Sequence, residues 1–193
     1  YKLKPHVDLQ TGRVNYPEGF IFDGTMTSAE WCSCPSLILL DLLTTKRYGF
    51  GEQIAPDQST DAKRYENLDL FSFIAASKYS NELVNDPFGG REARFSCNVN
   101  IQGSREAFDL INDLAGVMRC FPIWSEGSIN ITQDRPTDPS YLFSLANVTE
   151  GGFTYEGSSL KQRHTVINVA YFNMDSREID YEVVEDTTAI AKL

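Results

Sequence analysis

Along the chain, stretches with apolar residues at every third or fourth position give way to stretches with apolar residues at every second, with turn residues between. Leu37, Leu39, Leu40 and Leu43 form the first helical stripe. Pro35 opens it, because a helix tolerates proline in its first turn. The run Lys46-Arg47-Tyr48-Gly49 predicts its end, with basic side chains over the last carbonyls and a glycine beyond. A polar loop, 51–57, leads to a second predicted helix. Ser59, Thr60 and Asp61 offer capping oxygens there, and Tyr65, Leu68, Phe71, Ile74 and Ala75 recur at helical spacing until the pattern fades near 78–81. Asn85-Asp86-Pro87-Phe88-Gly89-Gly90 is a dense turn signal.

Strict alternation follows. Phe95, Cys97, Val99 and Ile101 are apolar while Arg94, Ser96, Asn98 and Asn100 are polar, which predicts a half-buried strand. Ser104 is placed to cap a helix with Phe108, Ile111, Leu114, Ala115 and Met118 along one stripe. Phe121-Pro122-Ile123-Trp124 and Ser128-Ile129-Asn130-Ile131, joined across Ser125-Glu126-Gly127, read as a hairpin. Asp134-Arg135-Pro136-Thr137-Asp138-Pro139 is a stiff connector. Beyond it the candidates are strands at 153–155, 165–172 and 179–184, the last two forming a second hairpin. A further element starts at Thr187. The expected class is therefore α+β: an extended polar arm over 1–30, with Phe20-Ile21-Phe22 as its one apolar piece, an α/β unit over 31–134 and a β-rich portion over 135–193. The missing initiator methionine and the element begun at Thr187 lead us to expect a fragment of a longer chain.

Composition narrows the function. The 193 residues, 41% hydrophobic and 12% aromatic, suffice for a core without covalent staples. Leu37-Ile38-Leu39-Leu40 is the longest aliphatic run and Asp41 cuts it, so no membrane span is expected. Seventeen basic against 27 acidic side chains give a net charge of −10, which repels phosphate backbones and argues against a nucleic-acid partner.

Chemistry-bearing patterns are sparse. Cys32 and Cys34 flank one residue, whereas zinc pairs and thioredoxin-like pairs leave at least two between them. The remaining soft ligands are Cys97, Cys120, His6 and His164; both cysteines sit on apolar faces, where a thiol behaves as a small hydrophobe. The expectation is reduced thiols at the start of a helix, with no metal and no cofactor. Gly49 and Gly51 follow a helix rather than a strand and precede no Lys-Ser or Lys-Thr, so they do not make a phosphate loop. No nucleophile motif accompanies the two histidines. The carboxylates are numerous without a selected pair, and no catalytic residue is assigned. Trp31, Trp124 and several tyrosines leave a carbohydrate-binding module as one alternative, and a tail-borne wall-degrading enzyme as another.

Several phrases carry a resemblance: Phe22-Asp23-Gly24-Thr25, the helix bearing Asp41 with Arg47-Tyr48-Gly49-Phe50-Gly51, and Asp86-Pro87-Phe88-Gly89-Gly90 with Phe95 and Asn98. Further on come Ala107-Phe108, Asp134-Arg135-Pro136, Asn147-Val148, Gly152-Phe153-Thr154-Tyr155, Arg163-His164 and Glu185-Asp186. In this order, over roughly residues 20–193, the chain resembles the tip attachment (host specificity) protein J family of lambda-like phages. Cys34-Pro35-Ser36 replaces that family's usual Asn-Pro-Ala type of helix start, and Thr165 stands where asparagine often follows Arg-His. The resemblance implies a virion structural protein: a trimeric tail hub mixing α/β insertions with small β-barrels, touching distal tail and tape-measure proteins. Receptor-binding parts would lie elsewhere in the full chain. Asp23, Gly24, Asp41, Arg47, Tyr48, Gly49, Gly51, Phe88, Gly89, Gly90, Phe95, Asn98, Arg135, Pro136 and Arg163 would then serve architecture rather than catalysis.

Overall fold

A helix that is apolar nearly all round belongs inside a protein, and the stretch opened by Pro35 is placed there. A computed structural model describes residues 6–7, 10–16, 31–86, 89–101, 106–149, 152–157, 159, 164–173 and 176–191. Their elements are β1 (His6–Val7), β2 (Val14–Asn15), α1 (Pro35–Thr44), α2 (Gly51–Ile54), α3 (Asp61–Arg64), α4 (Leu70–Ser80), β3 (Leu83–Asn85) and β4 (Arg91–Ala93). There follow α5 (Ala107–Val117), β5 (Cys120–Ser125), β6 (Ser128–Gln133), β7 (Val166–Asn173), β8 (Glu178–Glu185) and α6 (Thr187–Ile190). Helices and antiparallel strands together make an α+β protein, whose described strands pair as β1–β2, β3–β4, β5–β6 and β7–β8. No barrel closes among the described residues. The chain divides into two compact units, Tyr1–Thr137 and Asp138–Leu193.

In the first unit α1 packs on α2, α4 and α5. Leu39, Leu40 and Leu43 of α1, Phe73 of α4, Leu114 and Ala115 of α5, and Met118 after it share one core with Cys120 and Ile131 of the β5–β6 hairpin. Pro35 takes the first helical position, as the sequence predicts, and Cys34 is the N-cap. The helix ends sooner than expected, at Thr44, and its last turn carries no basic residue. Thr44 itself donates its hydroxyl back to the Leu40 carbonyl (2.9 Å).

The single helix predicted from the caps at Ser59, Thr60 and Asp61 to about 78–81 is broken into α3 and α4. Asp69 becomes an N-cap, its carboxylate accepting the Phe71 N–H (3.1 Å), and α4 starts afresh behind it. The buried face also differs: Phe73, Ile74, Ala76, Ser77 and Ser80 are covered, whereas Phe71 and Ala75 are exposed. Ser77 and Ser80 were passed over because they are polar, yet both are fully buried. The Ser80 hydroxyl is satisfied locally, donating to the Ala76 carbonyl (2.7 Å), whereas that of Ser77 meets the Tyr16 hydroxyl at 2.6 Å. Ser36 of α1 donates to the Phe73 carbonyl at 2.6 Å.

The clearest predicted strand, 94–101, pairs with no described strand. Cys97 is buried, but Val99 and Ile101 are 60% and 43% exposed. The expected cap Ser104 lies outside the described residues, and α5 begins behind Glu106 without a side-chain cap. Phe108, expected on its apolar stripe, is exposed; Leu114, Ala115 and Met118 are buried. The β5–β6 hairpin has the predicted turn: Glu126 (φ 54°) and Gly127 (φ 79°) both occupy the left-handed region, as a type I′ turn requires.

In the second unit β7 and β8 pair from Val166↔Glu185 to Asn173↔Glu178. The expected short strand at 153–155 is irregular chain. Asp186 caps α6, accepting the Ala189 N–H (2.9 Å). No described residue of this unit is buried. Phe20-Ile21-Phe22 of the arm lies outside the described residues, while Val14, at 1% exposure, belongs to the interior.

Candidate functional site

The paired cysteines sit in a knot of buried polar groups rather than at a reactive surface. Cys34 Sγ lies 3.0 Å from Ser77 Oγ, and Asn81 Nδ2 donates to the same sulfur (3.1 Å) and to the Ser77 carbonyl (2.8 Å). Asn81 Oδ1 accepts the Val14 N–H (2.9 Å), and the Tyr16 hydroxyl meets Ser77 Oγ at 2.6 Å. One asparagine thus ties the strand β2, the start of α1 and the end of α4 together. Burial pushes the Cys32 thiol up to about 11 and holds the Tyr16 phenol well above its usual range. Burial likewise raises Cys97, and it pushes Cys120 up to about 11 against the pull of Arg135. Thiols held protonated are poor nucleophiles and poor ligands. All four cysteines are free. Among the described residues no group of three or more His, Cys, Asp or Glu is placed to hold a metal ion.

Several positions of the resemblance, Asp41, Tyr48, Gly49, Gly51, Gly89 and Gly90, lie in turns and caps. Asp41 on α1 accepts hydrogen bonds from Thr45 Oγ1 (2.9 Å) and from the Tyr48 hydroxyl. That carboxylate holds the Tyr48 phenol above its ordinary range. The chain then folds back on the helix end: Phe50 N–H donates to the Leu42 carbonyl (2.8 Å), and Gly49 and Gly51 N–H to that of Thr45 (3.1 and 3.2 Å). A Cβ at Gly49 would strike the Leu42 carbonyl, and one at Gly51 that of Thr44. The phrase from Arg47 to Gly51 is thus a C-terminal cap in which glycine is sterically required. Arg47 itself is exposed.

Gly89 (φ 87°) and Gly90 turn the chain between β3 and β4, where Asp86 Oδ1 accepts the Gly90 N–H (2.8 Å). Phe95 rests beside Tyr79 (6.2 Å between centroids) and donates its N–H to the Ser80 carbonyl (3.0 Å). The guanidinium groups of Arg94 and Arg135 lie 4.3 and 5.5 Å from the same tyrosine ring. Tyr79, absent from the sequence expectations, is the hub of this contact; its only signal was helical spacing before Ser80. Asn98 and Pro136 are exposed. Asp23, Gly24, Phe88 and Arg163 lie outside the described residues.

Two recesses flank α5. One, of about 420 Å³, is lined by Glu106, Asp109, Asn112 and Asp113. These carboxylates are exposed, without the apolar enclosure that holds a glycosidase's acid. The other, of about 360 Å³, is largely apolar: Cys97, Val99 and Ile101 face Leu110, Leu114 and Val117, with Asn100 and Asp113 at its edge. Trp31 and Trp124 are 51% and 65% exposed. His164 is exposed. No described helix is long and apolar enough to cross a membrane.

No family model matches the chain. It is 36% identical over 169 residues, 87% of its length, to "Tip attachment protein J" of Escherichia phage SECphi27. It is 30% identical over 161 residues, 83% of its length, to the protein of the same name in Escherichia phage SECphi4. The chain belongs to the tip attachment protein J family. It spans 13% of the length of each of these two relatives.

Proposed function

We propose that this chain is a structural module of a phage or prophage tail tip: a portion of the trimeric hub that closes the tail tube. In that reading it is assembled in the host cytoplasm, touches distal tail and tape-measure proteins, and supports receptor-binding parts carried elsewhere in the full-length protein. It has no catalytic role. The observation that carries the reading is the continuous match to tip attachment protein J over 87% of the chain.

The second unit supports it independently. On one face of the β7–β8 hairpin Val166, Ala170, Phe172, Ile179, Tyr181 and Val183 stand together. On the other, Ile167, Val169, Tyr171 and Val184 accompany Glu178, Asp180 and Glu182. All are exposed. A two-stranded hairpin is marginal alone, and exposed apolar surface on this scale suits an assembly in which neighbours cover it, as a small barrel or a subunit interface does. The test is sedimentation of the full-length protein with mass resolution, beside gold labelling of virions. A trimer and label at the tail tip are expected. A monomer would end the trimeric hub, and label on the capsid would end the tail assignment.

A further inference from the structure

The stretch 94–101 has the alternating pattern of a strand and no described strand beside it. Arg94 and Phe95 bend the chain, their N–H groups donating to the Glu82 and Ser80 carbonyls (2.9 and 3.0 Å), and beyond the bend Cys97 N–H donates to the Ser33 carbonyl (2.8 Å), so one side of the chain at Cys97 is taken up by its own protein. In extended chain successive residues direct their backbone groups to opposite sides. In an extended run from Cys97 the groups of Asn98 and Asn100 fall on the other side. No hydrogen bond of residues 98–101 is found, with backbone or with side chain, among the described residues. Val99 and Ile101 continue the apolar face that Cys97 buries, but they border the 360 Å³ groove against α5 instead of a packed interior.

We propose that residues 98–101 are an acceptor edge for strand addition: an extended, basic segment of a different protein pairs with this edge and sends alternate apolar side chains into the groove beside α5. Strand addition takes affinity from main-chain hydrogen bonds and specificity from the pockets that alternate side chains enter. The charge selects the occupant. Asp113 lines both recesses, so the apolar groove lies beside the acidic one lined by Glu106 and Asp109. A lysine or arginine on the incoming strand meets that acidic rim. A second copy of this chain, itself at −10, would bring more negative charge to it.

The test uses the purified full-length protein and three synthetic nine-residue peptides: one alternating valine with threonine and lysine, one with glutamate for every lysine, and one N-methylated along one edge. Amide exchange is followed residue by residue. The basic peptide is expected to slow exchange at Asn98 and Asn100 about tenfold, with the glutamate and N-methylated peptides leaving it unchanged. Val99→Glu and Ile101→Glu, both at exposed positions, should abolish the slowing while thermal unfolding stays as in the parent. Three results overturn the proposal: no slowing with the basic peptide, equal slowing with the acidic or N-methylated one, or slowing that depends on protein concentration without peptide, which would identify a second copy as the occupant.

Discussion

Gly49 lies directly against the main-chain carbonyl of Leu42, with no room for a β-carbon between them. Gly49→Ala must therefore unseat the loop that caps α1. The expected loss is about 2–3 kcal/mol, read as a lower urea midpoint at unchanged slope. Gly116, inside α5, faces open space. Gly116→Ala should add about 0.5–1 kcal/mol of stability, read as a higher midpoint. Equal effects at the two sites would refute the steric account of the cap.

Phe71 and Phe73 test which face of α4 is buried. Phe73 is fully covered and Phe71 is 60% exposed. Phe73→Ala should cost about 3–5 kcal/mol, and Phe71→Ala less than about 1 kcal/mol. Chemical denaturation of both variants settles the order, and the reverse order would restore the stripe first drawn through Phe71.

Asn81 holds three segments through its carboxamide. Asn81→Ala leaves the Val14 N–H and the Ser77 carbonyl without that side chain inside the protein, at an expected cost of about 2–3 kcal/mol. The Val14 amide should also exchange faster in the variant by at least about tenfold. Unchanged protection there would mean that Asn81 does not bind β2 to the helices.

The buried thiols set an alkaline limit. An unfolded cysteine ionises near 9.0, and Cys32 and Cys120 do so near 11 when folded. Between these values the unfolded chain binds fewer protons than the folded one, so stability falls as pH rises. The contribution is whole below about pH 9 and is lost on passing about pH 11. Urea midpoints across this window should decline, and the double variant Cys32→Ala, Cys120→Ala should decline less steeply. Parallel curves would show that these thiols do not carry the effect.

Sequence periodicity located α1 and α5 through their buried apolar positions, and the β5–β6 and β7–β8 hairpins through strand-forming runs on either side of a turn. It failed at α4, where Ser77 and Ser80 are interior for their size and Asp69 restarts the helix. It also failed at 94–101, where the pattern was that of a strand and no described strand pairs with it. Alternation reports what a segment can bury, and pairing depends on what lies beside it. Among the site positions, the glycines after α1 were legible as a helix stop, but the steric need for them required the carbonyls of Leu42 and Thr44 in place. The Asn81 knot was not legible, since its members are spread from Val14 to Asn81 and each is unremarkable alone.

The contrast between the two units has a temporal meaning. Tyr1–Thr137 contains its own interior, whereas Asp138–Leu193 has no buried residue among those described. The first unit can thus mature as soon as it is made. On the assembly proposed above, a placed copy and a waiting copy differ chiefly in the second unit, and proteases and chaperones, which read exposed apolar surface, have a means of telling them apart.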